Sequence, residues 1–326
     1  MKYISKEAEN ALEAIKKYGP IRSSELAKTL NLSIQTTHKH LRTLLGEDLI
    51  KKTGSTPKVF YSVALETEMG VVISDENSRF IEESYIYVSP SGEIIRGLEG
   101  FKIWCDKNKF DFEREKDAYV RKMKVVEKVR KNNLISAKHS VLCGKNRLYL
   151  DDIFFSDFYN IDYFGKTKLG QLVYLGKSSQ NKELIKEIAK IIKPSIANII
   201  EKHEIGTLCF IPPTIDRKIQ FLDVLKKSLK LDLPEIMATK IPSPTKIPQK
   251  TLRKLEDRIL NARTTIAVNP NQEVQKNVLI IDDATGSGAT LNEVARKIRN
   301  IAEGKIKIIG YSVVGSYKNF DVISEV

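Results

Sequence analysis

The chain has 326 residues, 41% of them hydrophobic and 29% charged, with a formal net charge of +13. That length supports two or three units with buried cores, and that composition excludes a disordered chain or a membrane-embedded one. No apolar run is long enough to span a bilayer, and the charged N-terminal stretch lacks the apolar core of a signal peptide, so a cytoplasmic protein is expected. The excess of lysine and arginine favours a polyanionic partner.

To about Leu65 the pattern alternates helices with short turns. Ala8, Ala11, Leu12 and Ile15 recur at helical spacing, and Gly19-Pro20 stops that helix. "SSELAKTL" predicts a second helix with a serine cap that buries Leu26, Ala27 and Leu30. A third, "IQTTHKHLRTLL", places Thr37, Leu41 and Leu44 inward and leaves Gln35, Thr36, Lys39, His40 and Arg42 mostly outward. "LIKKTGSTPKVFYSVA" then reads as strand, basic turn, strand.

This order resembles a winged helix-turn-helix DNA-binding domain, with the third helix as reader and "KKTGSTPK" as wing. The resemblance implies that Ser33, Gln35, Thr36, Lys39, His40 and Arg42 face the major groove of double-stranded DNA, while Lys51, Lys52 and Lys58 meet phosphates. Thr37 stands where the family usually has an aliphatic residue. Such a domain also serves as a dimerisation or protein-docking module. His38 and His40 have no acid or nucleophile spaced to make them catalytic.

From Glu66 to about residue 145 an α+β middle region is expected. "SYIYVSPSGEIIRGLEGFKIWCDKN" suggests a hairpin turning at Ser91-Gly92, then a helix with Trp104 on its apolar side, as a core or inter-domain anchor. A charged helical run follows, in which Val125, Val126 and Val129 form one packing stripe. Cys105, Cys143 and Cys209 are far apart, odd in number and free of any CxxC pair, so they read as reduced, packed thiols.

The aromatic and β-branched run "NRLYLDDIFFSDFYNIDYFGKTKLGQLVYLG" reads as strands with turns. A long amphipathic helix comes next, kinked or split at Pro194. Strand and helix then alternate through "TLCFI", "KIQFLDVLKKSL", "EIMAT", "LRKLEDRILNA", "VLIID", "LNEVARKIRNI" and "KIKIIGYSVVG", which predicts parallel strands joined by crossover helices. The expected layout is a domain at 1–65, the middle region at 66–145 and an α/β domain at 146–326.

Within that last domain, "VLIIDDATGSGAT" combines an apolar strand, two acids, a turn of glycines and hydroxyls, and a helix start. Ligands sit at the carboxyl ends of strands in an open α/β sheet, and a helix N-terminus attracts phosphate. A receiver domain carries its acidic pair after its first strand, a Walker loop needs Gly-Lys-Ser/Thr, and a bare structural corner is the third alternative.

The stretch resembles the 5-phosphoribosyl-1-pyrophosphate (PRPP) loop of type I phosphoribosyltransferases. The resemblance implies a parallel-sheet α/β fold of that type, with Asp282 and Asp283 on the ribose hydroxyls. Thr285, Gly286, Ser287, Gly288, Ala289 and Thr290 would cradle the 5-phosphate. Upstream, "LCFIPPTIDRKIQF" and the segment carrying Gln249, Leu252, Arg258 and Asn261 look like the ComF branch of that family. By that analogy Arg217 and Lys218 face the pyrophosphate, "IPSPTKIPQK" is a flap from which Lys246 and Lys250 close over it, and magnesium bridges diphosphate oxygens with no direct protein ligand.

Three functions fit these parts. One is a transcriptional regulator in which PRPP or a nucleotide is the effector, acting as a homodimer on DNA. The second is an active phosphoribosyltransferase acting on a nitrogen base. The third, following the ComF likeness, is a protein of DNA uptake that handles single strands.

Overall fold

The structure is a computed structural model that describes residues 5–18, 21–47, 49–55, 58–63, 75–89, 92–138, 147–241, 255–274 and 276–317. The chain divides into two compact units, Met1–Ser74 and Asp75–Val326.

In the first unit, α1 (Lys6–Tyr18), α2 (Ser23–Leu30) and α3 (Ile34–Gly46) precede the antiparallel strands β1 (Ile50–Ser55) and β2 (Lys58–Val63). Ile21, between α1 and α2, adds a bridge to Tyr61 of β2. Ala8, Ala11, Ile15, Leu26, Leu41 and Leu44 form the shared core. The helical spacing of these residues is what folds three short helices onto one another, since helices of this length owe their stability to packing.

Two local expectations change. Ser23 is the first residue of α2 rather than its cap; Arg22 holds the cap position, and the Glu25 carboxylate reaches back to accept from its N–H at 3.2 Å. Leu30 is only half-buried.

The second unit begins earlier than a break at 145 would have it. α4 (Glu76–Ser84), the hairpin β3 (Ile86–Val88) and β4 (Ile94–Arg96), α5 (Gly97–Asn108) and α6 (Phe112–Val129) lead into β5 (Arg130–Lys131) and β6 (Leu134–Ser136). β6 pairs antiparallel with β7 (Asp152–Phe158), so the middle region supplies two strands of the main sheet and is no separate linker. Packing holds it there too: Trp104 lies within 5.5 Å, ring centre to ring centre, of Phe101 and of Phe164 beyond β7.

The hairpin turns at Gly92, whose φ of 85° suits glycine, while Ser91 lies outside the described residues. The valine stripe does not form. Val126 is buried, but Val125 and Val129 are exposed, because the core face of α6 is carried by Tyr119, Val120, Met123 and Val126.

After β7 the chain forms a 3-10 turn (Asp162–Phe164) and then a helix, α7 (Lys168–Ser178), where further strands were expected. Thr167 caps it by accepting from the Gly170 N–H at 3.0 Å. Gly170 is required by close approach, since a Cβ there would sit 2.1 Å from the Tyr159 carbonyl oxygen. Long α8 (Lys182–Lys202) runs on through Pro194 as one helix.

β8 (Ile205–Phe210), α9 (Phe221–Leu229), β9 (Ala238–Lys240), α10 (Leu255–Thr265), β10 (Ile266–Val268), β11 (Asn277–Thr285), α11 (Ala289–Ile301) and β12 (Ile308–Gly315) complete the unit. The sheet runs β5-β6-β7-β12-β11-β8, with β7, β12, β11 and β8 mutually parallel. "EIMAT" meets the sheet only at its start, where Glu235 makes a parallel bridge to Leu208 of β8; its end belongs to β9, which pairs with β10 in a separate two-stranded ribbon. β11 lies inside the sheet, and Val278, Leu279, Ile280 and Ile281 are fully buried, as a strand covered on both faces must be.

Cys105 and Cys209 are free and buried, and burial pushes both thiols up to about 12; Cys143 lies outside the described residues. No helix among the described residues is long and apolar enough to cross a membrane.

Candidate functional site

On the first unit, α3 buries Thr37, Leu41 and Leu44 and turns Gln35, Lys39 and Arg42 to solvent, with Thr36 and His40 half-buried. Thr37 is tolerated inside because its hydroxyl donates to the Ser33 carbonyl at 3.0 Å. Ser33 is occupied as the cap of α3: its oxygen accepts from the Thr36 N–H at 3.1 Å and meets the Thr36 hydroxyl at 2.8 Å. Lys52 is exposed on β1; Lys51 and Lys58 lie on β1 and β2. Arg22 stacks over Phe60 of β2 at 5.1 Å, a basic group beside the hairpin that no sequence signal marked.

On the second unit, a cleft of about 350 Å³ opens at the carboxyl end of β11, lined by Asp282, Asp283, every residue from Thr285 to Thr290, and Arg217. β11 runs on through both acids to Thr285, four residues further than its apolar core. Successive strand side chains leave on opposite faces, so the two acids meet different neighbours. Asp283 pairs with Lys177 of α7 at 2.9 Å, both side chains being nearly buried. Asp282 lies close enough to Lys240 to offset part of the burial that lowers that ammonium's pKa. Asp282 also accepts from the Asp283 backbone N–H at 2.8 Å.

The turn is not uniformly available to a ligand. Thr285 is buried, and its hydroxyl bonds that of Ser312 on β12, so it anchors the base of the turn. Gly288 takes φ 73°, a left-handed conformation that favours glycine, and stands at the cap of α11 with no side-chain hydrogen bond. The first turn of α11 holds no acid. Helices α3, α4, α6, α7 and α8 all have a side-chain oxygen over their N-terminus. At α11 the oxygen is the Ser287 hydroxyl, which accepts from the Ala289 N–H at 3.4 Å, so its positive end faces the cleft with no carboxylate over it, an arrangement suited to an anion.

Basic groups complete the wall. Arg217 lines it, whereas Lys218 is exposed and is not among the lining residues. Arg258, on α10, is buried against the cleft, and burial lowers its pKa. Asn261 lies on the same helix, while Lys246, Gln249, Lys250 and Leu252 fall outside the described residues. Phe210, Pro212, Ile215 and Met237 supply an apolar flank, on which Ile215 is 40% and Met237 53% exposed. Lys177 and Lys240 escaped the sequence reading because nothing in a helix end or a short strand announces a partner more than 40 residues away. Among the described residues no group of three or more His, Cys, Asp or Glu is placed to hold a metal ion.

The family model for winged helix-turn-helix DNA-binding matches residues 9–51, from within α1 into β1. No curated protein matches the chain. Among solved structures, a hypoxanthine phosphoribosyltransferase from Staphylococcus aureus, in a tetragonal crystal form, is similar at 14% identity over 41% of this chain and 74% of that one, with a TM-score of 0.25.

Proposed function

We propose that the chain is a cytoplasmic DNA-binding transcriptional regulator whose second unit binds PRPP or a nucleotide as effector. The observation that carries the effector half is the convergence, in one cleft, of the Asp282-Asp283 pair, the turn from Gly286 to Thr290, the N-terminus of α11 with no acid in its first turn, and Arg217 with Arg258. A carboxylate accepts from hydroxyls, and a glycine turn at a helix N-terminus donates N–H groups to phosphate. A ligand with a vicinal diol on one side and a phosphate on the other satisfies both, which is a ribose 5-phosphate unit. Arg217 and Arg258 then face any second anionic group, and magnesium, if the ligand brings it, would be held by the ligand's own oxygens and would neutralise their charge.

The DNA half rests on the match of residues 9–51 and on the exposed Gln35, Lys39, Arg42 and Lys52. A symmetric operator read by two copies suits a homodimer. Joining a DNA reader to a metabolite site lets the two bindings be coupled.

The test is a DNA titration with the gene's own upstream region, with and without magnesium-PRPP, across a salt series. Asp282→Asn with Asp283→Asn should abolish the PRPP response and spare basal DNA affinity. A double variant that responds like the parent overturns the diol assignment.

One observation favours a second function, an active phosphoribosyltransferase: the exposed Ile215 and Met237 beside Phe210 form an apolar wall that would hold a planar base. Release of pyrophosphate from PRPP on adding a nucleobase supports it; silence across purines and pyrimidines removes it.

A further inference from the structure

The acids and the 211–220 loop stand on two different strands, yet one short segment holds both. At the end of α7, Lys177 binds the Asp283 carboxylate at 2.9 Å. Three residues on, the Gln180 side-chain oxygen accepts from the Ile219 backbone N–H at 2.9 Å, which fixes the far end of the loop that carries Arg217. Between these contacts the backbone has little freedom. Gln180 is held at φ 52°, a left-handed conformation that a non-glycine residue adopts at a cost. Asn181 at once caps α8, accepting from the N–H groups of Glu183 and Leu184. On the other side, a Cβ at Gly176 would lie 3.2 Å from Ile185 and 3.4 Å from Phe221, so α7 ends packed against α8 and the first residue of α9.

We infer that residues 177–180 form a brace through which a ligand on the acids changes the affinity of the 211–220 loop for a second anion. The inference rests on the ligand class proposed above and adds a mechanism to it. A hydroxyl that bonds Asp283 alters how that carboxylate holds Lys177. Because the segment is short and clamped by two helix ends, a shift at Lys177 reaches the Gln180–Ile219 bond. Lys177 and Gln180 act as positioning residues, and the coupling is reciprocal as any coupling of two bindings must be.

The experiment uses the full chain and two separate probes, ribose 5-phosphate and magnesium pyrophosphate, titrated alone and together by calorimetry. In the parent each probe should raise the affinity of the other about tenfold, within the usual range for coupled sites. Gln180→Gly keeps the left-handed backbone and removes the hydrogen bond; it should bind ribose 5-phosphate as the parent does and lose the coupling. Lys177→Met should lose it as well, and Lys177→Arg should retain it. A merely structural contact would lower both affinities and leave intact the factor by which each probe raises the other's. Unchanged coupling in Gln180→Gly and Lys177→Met, or no coupling in the parent, overturns the brace while leaving the ligand class standing. A parent that binds neither probe overturns the ligand class and the brace with it.

Discussion

Thr285 and Ser312 meet hydroxyl to hydroxyl between β11 and β12, both residues being buried. Removing one of a buried polar pair leaves the other unsatisfied, whereas removing both is nearly neutral. Thr285→Val should therefore cost about 1–3 kcal/mol, and adding Ser312→Ala should recover most of it. Urea midpoints of the full chain test this, and a double variant as unstable as the sum of the singles refutes the pairing. Residues differ in how legible such roles were. Thr37, Leu41 and Leu44 were readable as core because spacing of three and four puts them on one helical face. Thr285 was not: in the sequence it is one hydroxyl among several in a turn, and only the register of β11 against β12 decides that it points inward. Ser33, expected at DNA, is exposed and also caps α3, a second role that the motif does not show.

At the scale of elements, α4 shows how a single cap ties local structure to pH. Asp75 accepts from the Ser78 N–H at 2.7 Å and from Lys116 at 3.1 Å. The backbone hydrogen bond is the larger cause, the lysine the next, and together they hold the carboxyl below its ordinary value. A carboxyl lowered in the folded state stabilises above its unfolded value, and that contribution is lost as pH falls through the folded value. Asp75→Asn keeps an acceptor at the cap and removes the charge. It should flatten the decline of thermal stability with acid below roughly pH 4, and an unchanged acid limb would reject the assignment. Whole elements were misread where short patterns are ambiguous. "KLGQLVYLG" holds Val173, Tyr174 and two glycines, yet Thr167 caps it and Gly170, lacking a Cβ, lets its backbone lie against Tyr159, so it becomes α7. Pro194 did not split α8, whose buried face of Ile185, Ile188, Ile192, Ile196 and Ile199 continues across it.

For the molecule as a whole, the charge of +13 favours a polyanionic partner, in keeping with the winged helix-turn-helix match. Phosphate contacts release counterions, so DNA affinity should fall linearly with salt on logarithmic axes. Lys52→Ala or Arg42→Ala should each reduce that slope by about one. Ser33→Ala should weaken α3 and leave the slope alone, because its oxygen caps the helix. Gel shifts across a salt series decide this; slopes indifferent to Lys52 and Arg42 place the DNA surface elsewhere.

The sequence by itself determined the two local signatures, three helices with a hairpin and an apolar strand ending in paired acids before a glycine turn. Both are written in contiguous residues, where periodicity and turn chemistry act over a few positions. Only the tertiary structure decided that residues 75–138 join the second unit through β6, that the acids part to Lys177 and toward Lys240, and that Lys177 reaches an acid while Gln180 reaches the loop that carries Arg217. Those facts depend on strand order and on side chains far apart in the chain, and no local pattern encodes the distance between two strands' ends.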